Sequence, residues 1–156
     1  MNFSMYMPVD LRSGVNCVKE NTKCFALGRH ALLVTGRHAA KACGAQADVT
    51  EALDSLGIAY TVYDCIGENP LMSVCYAGGQ KANAVGADFV IGIGGGSAMD
   101  AAKAIAAYAA NPAMSAEALM TETRENRALP IILIPTTAGS GSEVNPYAVL
   151  TLDGQD

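Results

Sequence analysis

Short apolar runs rich in β-branched residues alternate along this chain with segments of helical periodicity, and this alternation limits the possible folds. The pattern predicts strands over residues 31–35, 58–64, from 89, 131–134 and 147–152. It predicts helices over residues 39–56, 71–85 and 99–110. Strands that alternate with helices in this way are typical of a Rossmann-like, doubly wound parallel α/β sheet with flanking helices.

The composition is that of a folded domain and argues against several classes of partner. A length of 156 residues suits one domain, or one domain cut out of a larger protein, and 51% of the residues are hydrophobic, so we expect one domain over residues 1–156. The net charge is −5 and the ten Lys and Arg residues are scattered, which argues against nucleic acid as a partner. The apolar stretch 88–110 contains Asp100 and Lys103, and residues 1–10 form no leader, so we expect no membrane segment and no secretion signal.

The cysteines indicate a reducing compartment. The five are widely spaced and include no C-x-x-C pair: Cys17, Cys24, Cys43, Cys65 and Cys75. We therefore expect reduced thiols in a cytoplasmic protein and no metal site built from them. His30 and His38 flank the first strand without a carboxylate at ligand spacing, so we expect no metal there either.

The most informative segment joins the third strand to its helix. Residues 94–96 are glycines that let the backbone turn and approach a ligand, and Ser97 can cap the helix or donate its hydroxyl to an anion. Asp100 and Lys103 follow one turn apart on one helical face. The unpaired N–H groups of such a helix start favour a pyrophosphate. A flexible turn beside an ordinary ion pair is the alternative.

A second donor-rich loop, residues 135–143, follows the fourth strand. Its hydroxyl groups and two glycines suit phosphate, ribose or adenine edges, although a Ser/Thr-rich surface loop would have the same composition. Ligands of parallel sheets lie at the carboxyl ends of the strands. Two such loops at one edge therefore predict a single nucleotide site.

Two long motifs then carry a family resemblance: GGGSAMDAAKAIA from residue 94 and IPTTAGSGSEV from residue 134. With ALLVTG at 31–36 and ENP at 68–70, they make the chain resemble the N-terminal nucleotide-binding domain of iron-containing (group III) alcohol dehydrogenases. The resemblance implies a dehydroquinate-synthase-like N-terminal fold. It also implies an NAD- or NADP-linked oxidoreductase that interconverts alcohols and aldehydes or ketones, and a homodimer or larger homo-oligomer with residues 3–9 at the contact.

The resemblance further implies which residues bind the cofactor. These are Gly36, Arg37, Asn69, Gly94, Gly95, Gly96, Ser97, Asp100, Lys103, Thr136, Thr137 and Ser140. Residues 95–97 would bind the pyrophosphate, while Asp100 and Lys103 would lie toward the nicotinamide. Many relatives carry an Asp at position 36 that holds the adenosine ribose. Gly36 and Arg37 remove that anion and add a cation, so we expect NADP to bind at least as well as NAD.

The resemblance also indicates what these residues lack. The family holds its metal with one Asp and three His of a helical second domain, which residues 1–156 do not include. We therefore expect no catalytic and no metal-binding residue here, and dinucleotide binding without turnover by this polypeptide alone. Iron or zinc, and a small-molecule alcohol or aldehyde, would be bound only in a full-length protein. Two alternatives stay open: a zinc-dependent glycerol or polyol dehydrogenase, and a non-catalytic nucleotide-binding module.

Overall fold

A computed structural model of the chain describes residues 7–121 and 123–154, which fold around a four-stranded sheet. The strands are β1 (His30–Gly36), β2 (Ala59–Ile66), β3 (Phe89–Gly94) and β4 (Ile131–Pro135). The helices are α1 (Cys17–Glu20), α2 (Ala39–Ala42), α3 (Ala45–Ser55), α4 (Met72–Val85), α5 (Gly96–Ala110) and α6 (Ala118–Thr121). Two 3₁₀ turns cover Thr22–Phe25 and Ser142–Val144.

The strand order creates a crevice at one edge of the sheet. The order is β2-β1-β3-β4, and every neighbouring pair is parallel. The chain leaves β1 toward β2 and then crosses back to continue through β3 to β4, so the winding direction reverses between β1 and β3. Ligands of doubly wound sheets bind outside the carboxyl ends of the strands at such a reversal. The predicted α/β class is confirmed, and the reversal places Gly36 and Gly94 at this crevice.

Alternate side chains of the strands fill a core on each face of the sheet. In β1, Leu32 and Val34 pack with α4 and α5, whereas Ala31 and Leu33 pack with α3 on the opposite face. All four side chains are fully buried. A strand buried on both faces has no polar side, which is why residues 31–34 are continuously apolar.

Small residues let α5 lie close to the sheet. A Cβ at Gly92 of β3 would lie 2.7 Å from the Ala102 Cβ of α5, so only glycine fits there. The same device brings α4 against α5, because a Cβ at Gly78 would lie 2.6 Å from the Ile105 Cδ1 atom. The alanine-rich composition of α5 therefore reflects close packing. This packing fixes where α5 starts relative to the end of β3.

The structure corrects three predicted boundaries. The helix predicted over residues 39–56 is two helices, because Gly44 adopts a φ of 84° that interrupts the helical path. The helix predicted from residue 99 begins at Gly96. The strand predicted over residues 147–152 is wrong: in this stretch only Thr151 pairs, through a bridge to Leu71. The Val149 N–H instead donates to the Asp100 carboxylate.

Two further expectations concern the surface. The subunit contact expected of a strand around residues 3–9 lies mostly outside the described residues, and residues 7–9, which are described, form no strand. Among the described residues, no helix combines the length and the apolar character needed to cross a bilayer. Oligomeric state and compartment remain predictions.

Asp88 lies at the amino-terminal edge of the sheet and accepts hydrogen bonds from the backbone there. Replacing its carboxylate should lower the stability of the fold by an amount that depends on pH. Its carboxylate accepts hydrogen bonds from the Arg29 N–H at 2.8 Å and the His30 N–H at 3.1 Å. Some loss of hydration raises the pKa of this largely exposed carboxylate, but the N–H donors outweigh that effect and hold the pKa of Asp88 below its usual value. We expect Asp88→Asn to lower the free energy of unfolding by about 1 kcal/mol at pH 7, since the carboxylate is exposed.

Because the folded-state pKa is the lower one, this contribution is present above the unfolded pKa of about 3.9 and is lost as the pH falls through the folded value. Urea unfolding of the parent and Asp88→Asn at pH 7 and below pH 3 measures the difference. Asp54→Asn, an exposed carboxylate on α3, is the control. A stability difference that does not change between the two pH values would contradict this role of the ionised carboxylate.

Candidate functional site

The glycine-rich turn places the start of α5 at the carboxyl edge of β3. Gly94 has a φ of 155°, a region that favours glycine, and Gly95 precedes the first helical residue in an extended conformation. Within the described residues, no side chain caps this helix, so the predicted capping role of Ser97 is not observed. The first N–H groups of the helix are therefore left for another acceptor.

The two donor-rich loops meet at this point. The Thr136 N–H donates to the Gly94 carbonyl at 2.9 Å, which continues the β3–β4 pairing into the loops. A Cβ at Gly95 would lie 3.1 Å from the Thr137 Oγ1 atom. A Cβ at Gly96 would lie 3.2 Å from the Ser140 Cβ atom. Segments some 40 residues apart in sequence thus form one rim, and glycine keeps space open between them.

One hydroxyl group on this rim lacks a partner. The Thr136 Oγ1 atom is buried and makes no hydrogen bond to any described residue. A buried hydroxyl left unpaired costs about 1–3 kcal/mol, so such groups usually have a ligand or an ordered water as partner. Thr137 and Ser140, the other hydroxyl residues predicted to contact the nucleotide, are exposed on the same loop.

Asp100 and Lys103 form a buried polar network with the segment that follows the second loop. Their side chains are 15% and 10% exposed and lie 3.3 Å apart. The Ser142 hydroxyl donates to Asp100 at 2.6 Å, and Lys103 donates to Ser142 at 2.8 Å. Lys103 also donates to the Asn145 side chain at 3.4 Å and to the Tyr147 carbonyl. The pair thus holds residues 142–149 against α5.

The network extends to the Asn-Pro turn after β2. The Thr151 N–H donates to the Pro70 carbonyl at 2.9 Å, two residues beyond the Asp100–Val149 hydrogen bond. Asn69 precedes Pro70, has a φ of 51° and is exposed. A left-handed conformation of this kind is uncommon outside glycine and is best tolerated by Asn and Asp. Asn69 therefore lies at the carboxyl edge of the sheet, after the end of β2.

Three charged side chains lie near the end of β1, the strand that neighbours β3. Gly36 is half-buried, and Arg37 is exposed. The Lys41 Nζ atom of α2 lies 2.9 Å from the Asp64 Oδ2 atom of β2. The hydrogen bond from Lys41, with a smaller effect of the Arg37 charge, lowers the pKa of Asp64. This end of the crevice thus carries two cations and one ionised carboxylate.

The part of the chain described by the structure offers no metal site. It contains no cluster of three or more His, Cys, Asp and Glu side chains able to hold a metal ion. The His30 Nε2 atom lies 2.9 Å from the Thr61 Oγ1 atom, and His38 is exposed. All five cysteines are unpaired, and burial raises the pKa of Cys75 to about 12, so this thiol stays protonated.

Most of the residues predicted to bind the cofactor lie at one edge of the sheet, and sequence reasoning missed some of the side-chain contacts there. The glycine loop and the Thr-Thr loop contact each other, while Gly36 ends β1 and Asn69 follows the neighbouring strand β2 at the same edge. Sequence reasoning missed Ser142 as a partner of Lys103, because the two are 39 residues apart and a serine in a polar loop carries no distinguishing signal. It also missed the Lys41–Asp64 pair, whose members belong to neither motif.

Comparison with known proteins shows which family has this sequence and fold. The family of iron-containing alcohol dehydrogenases matches residues 8–156. A long-chain primary alcohol dehydrogenase of Thermoanaerobacter ethanolicus is 39% identical over 122 residues, which are 78% of this chain and 31% of that protein. The chain thus spans about a third of the length of that relative, and 32% of the lactaldehyde reductase of Escherichia coli K12.

Solved structures agree in fold. The iron-containing alcohol dehydrogenase of Thermotoga maritima superposes with a TM-score of 0.91 at 37% identity, over 97% of this chain and 43% of that one. A sulfoacetaldehyde reductase of Bifidobacterium kashiwanohense, solved with NAD+, superposes with a TM-score of 0.80 at 28% identity, over 97% of this chain and 40% of that one. The sequence match over nearly the whole chain and the shared fold lead to one conclusion: the chain belongs to the iron-containing alcohol dehydrogenase family.

Proposed function

We propose that this chain is the dinucleotide-binding part of an NAD(P)-linked oxidoreductase that interconverts alcohols and aldehydes or ketones. The observation that carries the proposal is the shared rim of the two loops, with space between Gly95 and Thr137. The solved relative with NAD+ supports the same class of cofactor. When bound, the nicotinamide of such a cofactor accepts or donates a hydride.

The residues present fit a dinucleotide. The uncapped start of α5 suits the diphosphate, because helical N–H groups and the helix dipole favour an anion. The buried and unpartnered Thr136 Oγ1 atom suits a hydrogen bond to the same ligand. The lack of side chains at Gly95 and Gly96 lets the diphosphate approach the backbone. Asn69 and Thr137 would contact the remainder of the nucleotide.

The described residues do not fit the iron of the family name, because they offer no cluster of metal ligands. The role that these residues support is therefore the binding of the dinucleotide. Binding of the alcohol or aldehyde, and turnover, would need metal ligands from outside residues 1–156.

A thermal-shift and calorimetric titration with NAD, NADP, ADP and AMP tests the proposal. We expect both dinucleotides to stabilise the chain, by about 2.7 kcal/mol at a hundredfold excess over the dissociation constant. ADP should bind more tightly than AMP, because it adds the second phosphate that the glycine loop would hold. Absence of any shift with NAD and NADP would contradict the proposal, and equal affinities for ADP and AMP would contradict the assignment of the loop to the diphosphate.

Cofactor selectivity gives a second test, at Gly36. An Asp at this position would bring a carboxylate to the adenosine ribose and repel a 2′-phosphate. We expect Gly36→Asp to lower the NADP affinity relative to the NAD affinity by about tenfold, or about 1.4 kcal/mol. A Cβ at this position would lie 3.3 Å from the Ile66 carbonyl oxygen, so Gly36→Ala is the packing control. A parent chain that already prefers NAD, with a preference unchanged by the Asp, would contradict the role of Gly36.

A further inference from the structure

We propose that the Lys41–Asp64 pair raises the affinity for NADP relative to NAD, because Lys41 neutralises a carboxylate that would otherwise repel the 2′-phosphate. The inference rests on the dinucleotide binding proposed above. It assigns a role in cofactor specificity to two residues outside the glycine and Thr-Thr motifs.

The pair lies at the end of the crevice where the adenosine ribose is expected. Gly36 ends β1 and is paired with Ile66 of β2 across a local irregularity in register. Asp64 precedes Ile66 by two residues, so its carboxylate lies near the carboxyl edge of the sheet. Lys41 comes from α2, the short helix that follows β1, and its Nζ atom lies 2.9 Å from the Asp64 Oδ2 atom.

The charges at this edge decide between the two cofactors. An ionised carboxylate here favours a ribose with a free 2′-hydroxyl and disfavours a 2′-phosphate. The lowered pKa of Asp64 means that this carboxylate is charged at neutral pH. Lys41 cancels that charge, which leaves Arg37 as the net positive charge beside the site. With Lys41 removed, Asp64 takes the place of the acidic residue that Gly36 lacks.

The pair is suited to this role rather than to stabilising the fold. The Lys41 and Asp64 side chains are 50% and 43% exposed. Exposed ion pairs contribute little to folding stability, since solvent screens them and two side chains lose freedom. Variants at these positions should therefore fold, and changes in affinity can be measured on folded protein.

The experiment measures dissociation constants for NADP and NAD by calorimetry at one fixed ionic strength. The variants are Lys41→Met, Asp64→Asn and the double variant. Lys81→Met, at an exposed position on α4, controls for the change in net charge. We expect Lys41→Met to lower the ratio of NADP to NAD affinity about tenfold, and the double variant to recover most of that loss. Asp64→Asn alone should not weaken NADP binding.

Two results would overturn the inference. One is a ratio of NADP affinity to NAD affinity that is the same in Lys41→Met as in Lys81→Met. The other is a double variant whose ratio of NADP affinity to NAD affinity is as low as that of Lys41→Met, because Lys41 would then not act through Asp64. Failure of the parent chain to bind either dinucleotide would instead refute the proposed function, so the two failures are distinguishable.

Discussion

Replacing Gly95 should abolish most of the dinucleotide affinity while leaving the fold intact. Gly95 has φ −79° and ψ −171°, a conformation open to other residues, so a side chain there strains no backbone. Its Cβ would enter the space between the loops, 3.1 Å from the Thr137 Oγ1 atom. We expect about tenfold weaker NADP binding for Gly95→Ala. For Gly95→Val we expect about a hundredfold, or about 2.7 kcal/mol.

Gly14→Ala is the matched control, because a Cβ at Gly14 would meet no heavy atom of the described residues within 4 Å. Calorimetric titration of the three variants and the parent gives the affinities, and urea unfolding shows that each variant is folded. If Gly95→Val bound NADP as tightly as Gly14→Ala, the diphosphate could not lie between the two loops.

The largest loss of stability is expected for Asp100→Ala. The substitution removes the partner of the buried Lys103 and the acceptor of hydrogen bonds from the Ser142 hydroxyl and the Val149 N–H. Removing one member of a buried ion pair costs about 3–5 kcal/mol. Lys103 keeps its bond to Ser142, so we expect a value near the lower end, about 3 kcal/mol.

Hydrogen exchange distinguishes this role from a general effect on the core. The Val149 amide should lose its protection in Asp100→Ala, while the amides of β1 keep theirs relative to global unfolding. Asp54 is an exposed carboxylate on α3, so Asp54→Ala should change neither the protection of the Val149 amide nor that of the β1 amides. Unchanged protection at Val149 would show that Asp100 does not hold this segment.

Asp100→Ala should also affect the proposed cofactor site, although indirectly. The Ser142 N–H donates to the Ser140 Oγ atom at 3.3 Å, so the segment held by Asp100 also positions a hydroxyl of the rim. The resemblance implies that Asp100 and Lys103 lie toward the nicotinamide. Their observed hydrogen bonds go to residues 142–149, and through these they support the second loop whether or not they also meet the cofactor.

The central fold could be predicted from the sequence because its signals are local. Residues 31–34 are apolar without interruption, as expected of a strand covered on both faces. Gly86 ends α4 in the left-handed conformation, with a φ of 69°, as expected of a glycine after the last helical turn. These features depend on neighbours in sequence, so periodicity detects them.

The errors arise where distant residues determine the local structure. Residues 147–152 have the composition of a strand, but their backbone groups bond to Asp100 and Pro70 instead of a neighbouring strand. Nothing within the segment indicates those partners. The Lys41–Asp64 pair likewise joins side chains 23 residues apart in sequence, and no local pattern specifies that contact.

The central claim is that two loops, after β3 and β4, jointly bind the diphosphate of a dinucleotide. Amide chemical-shift mapping of the isotope-labelled chain during titration with NADP tests it most directly. The account predicts that the amides of Gly95, Gly96 and Ser97 shift with the same concentration dependence as those of Thr137 and Ser140. Shifts confined to one loop, or clustered at the opposite edge of the sheet around Asp88, would contradict it.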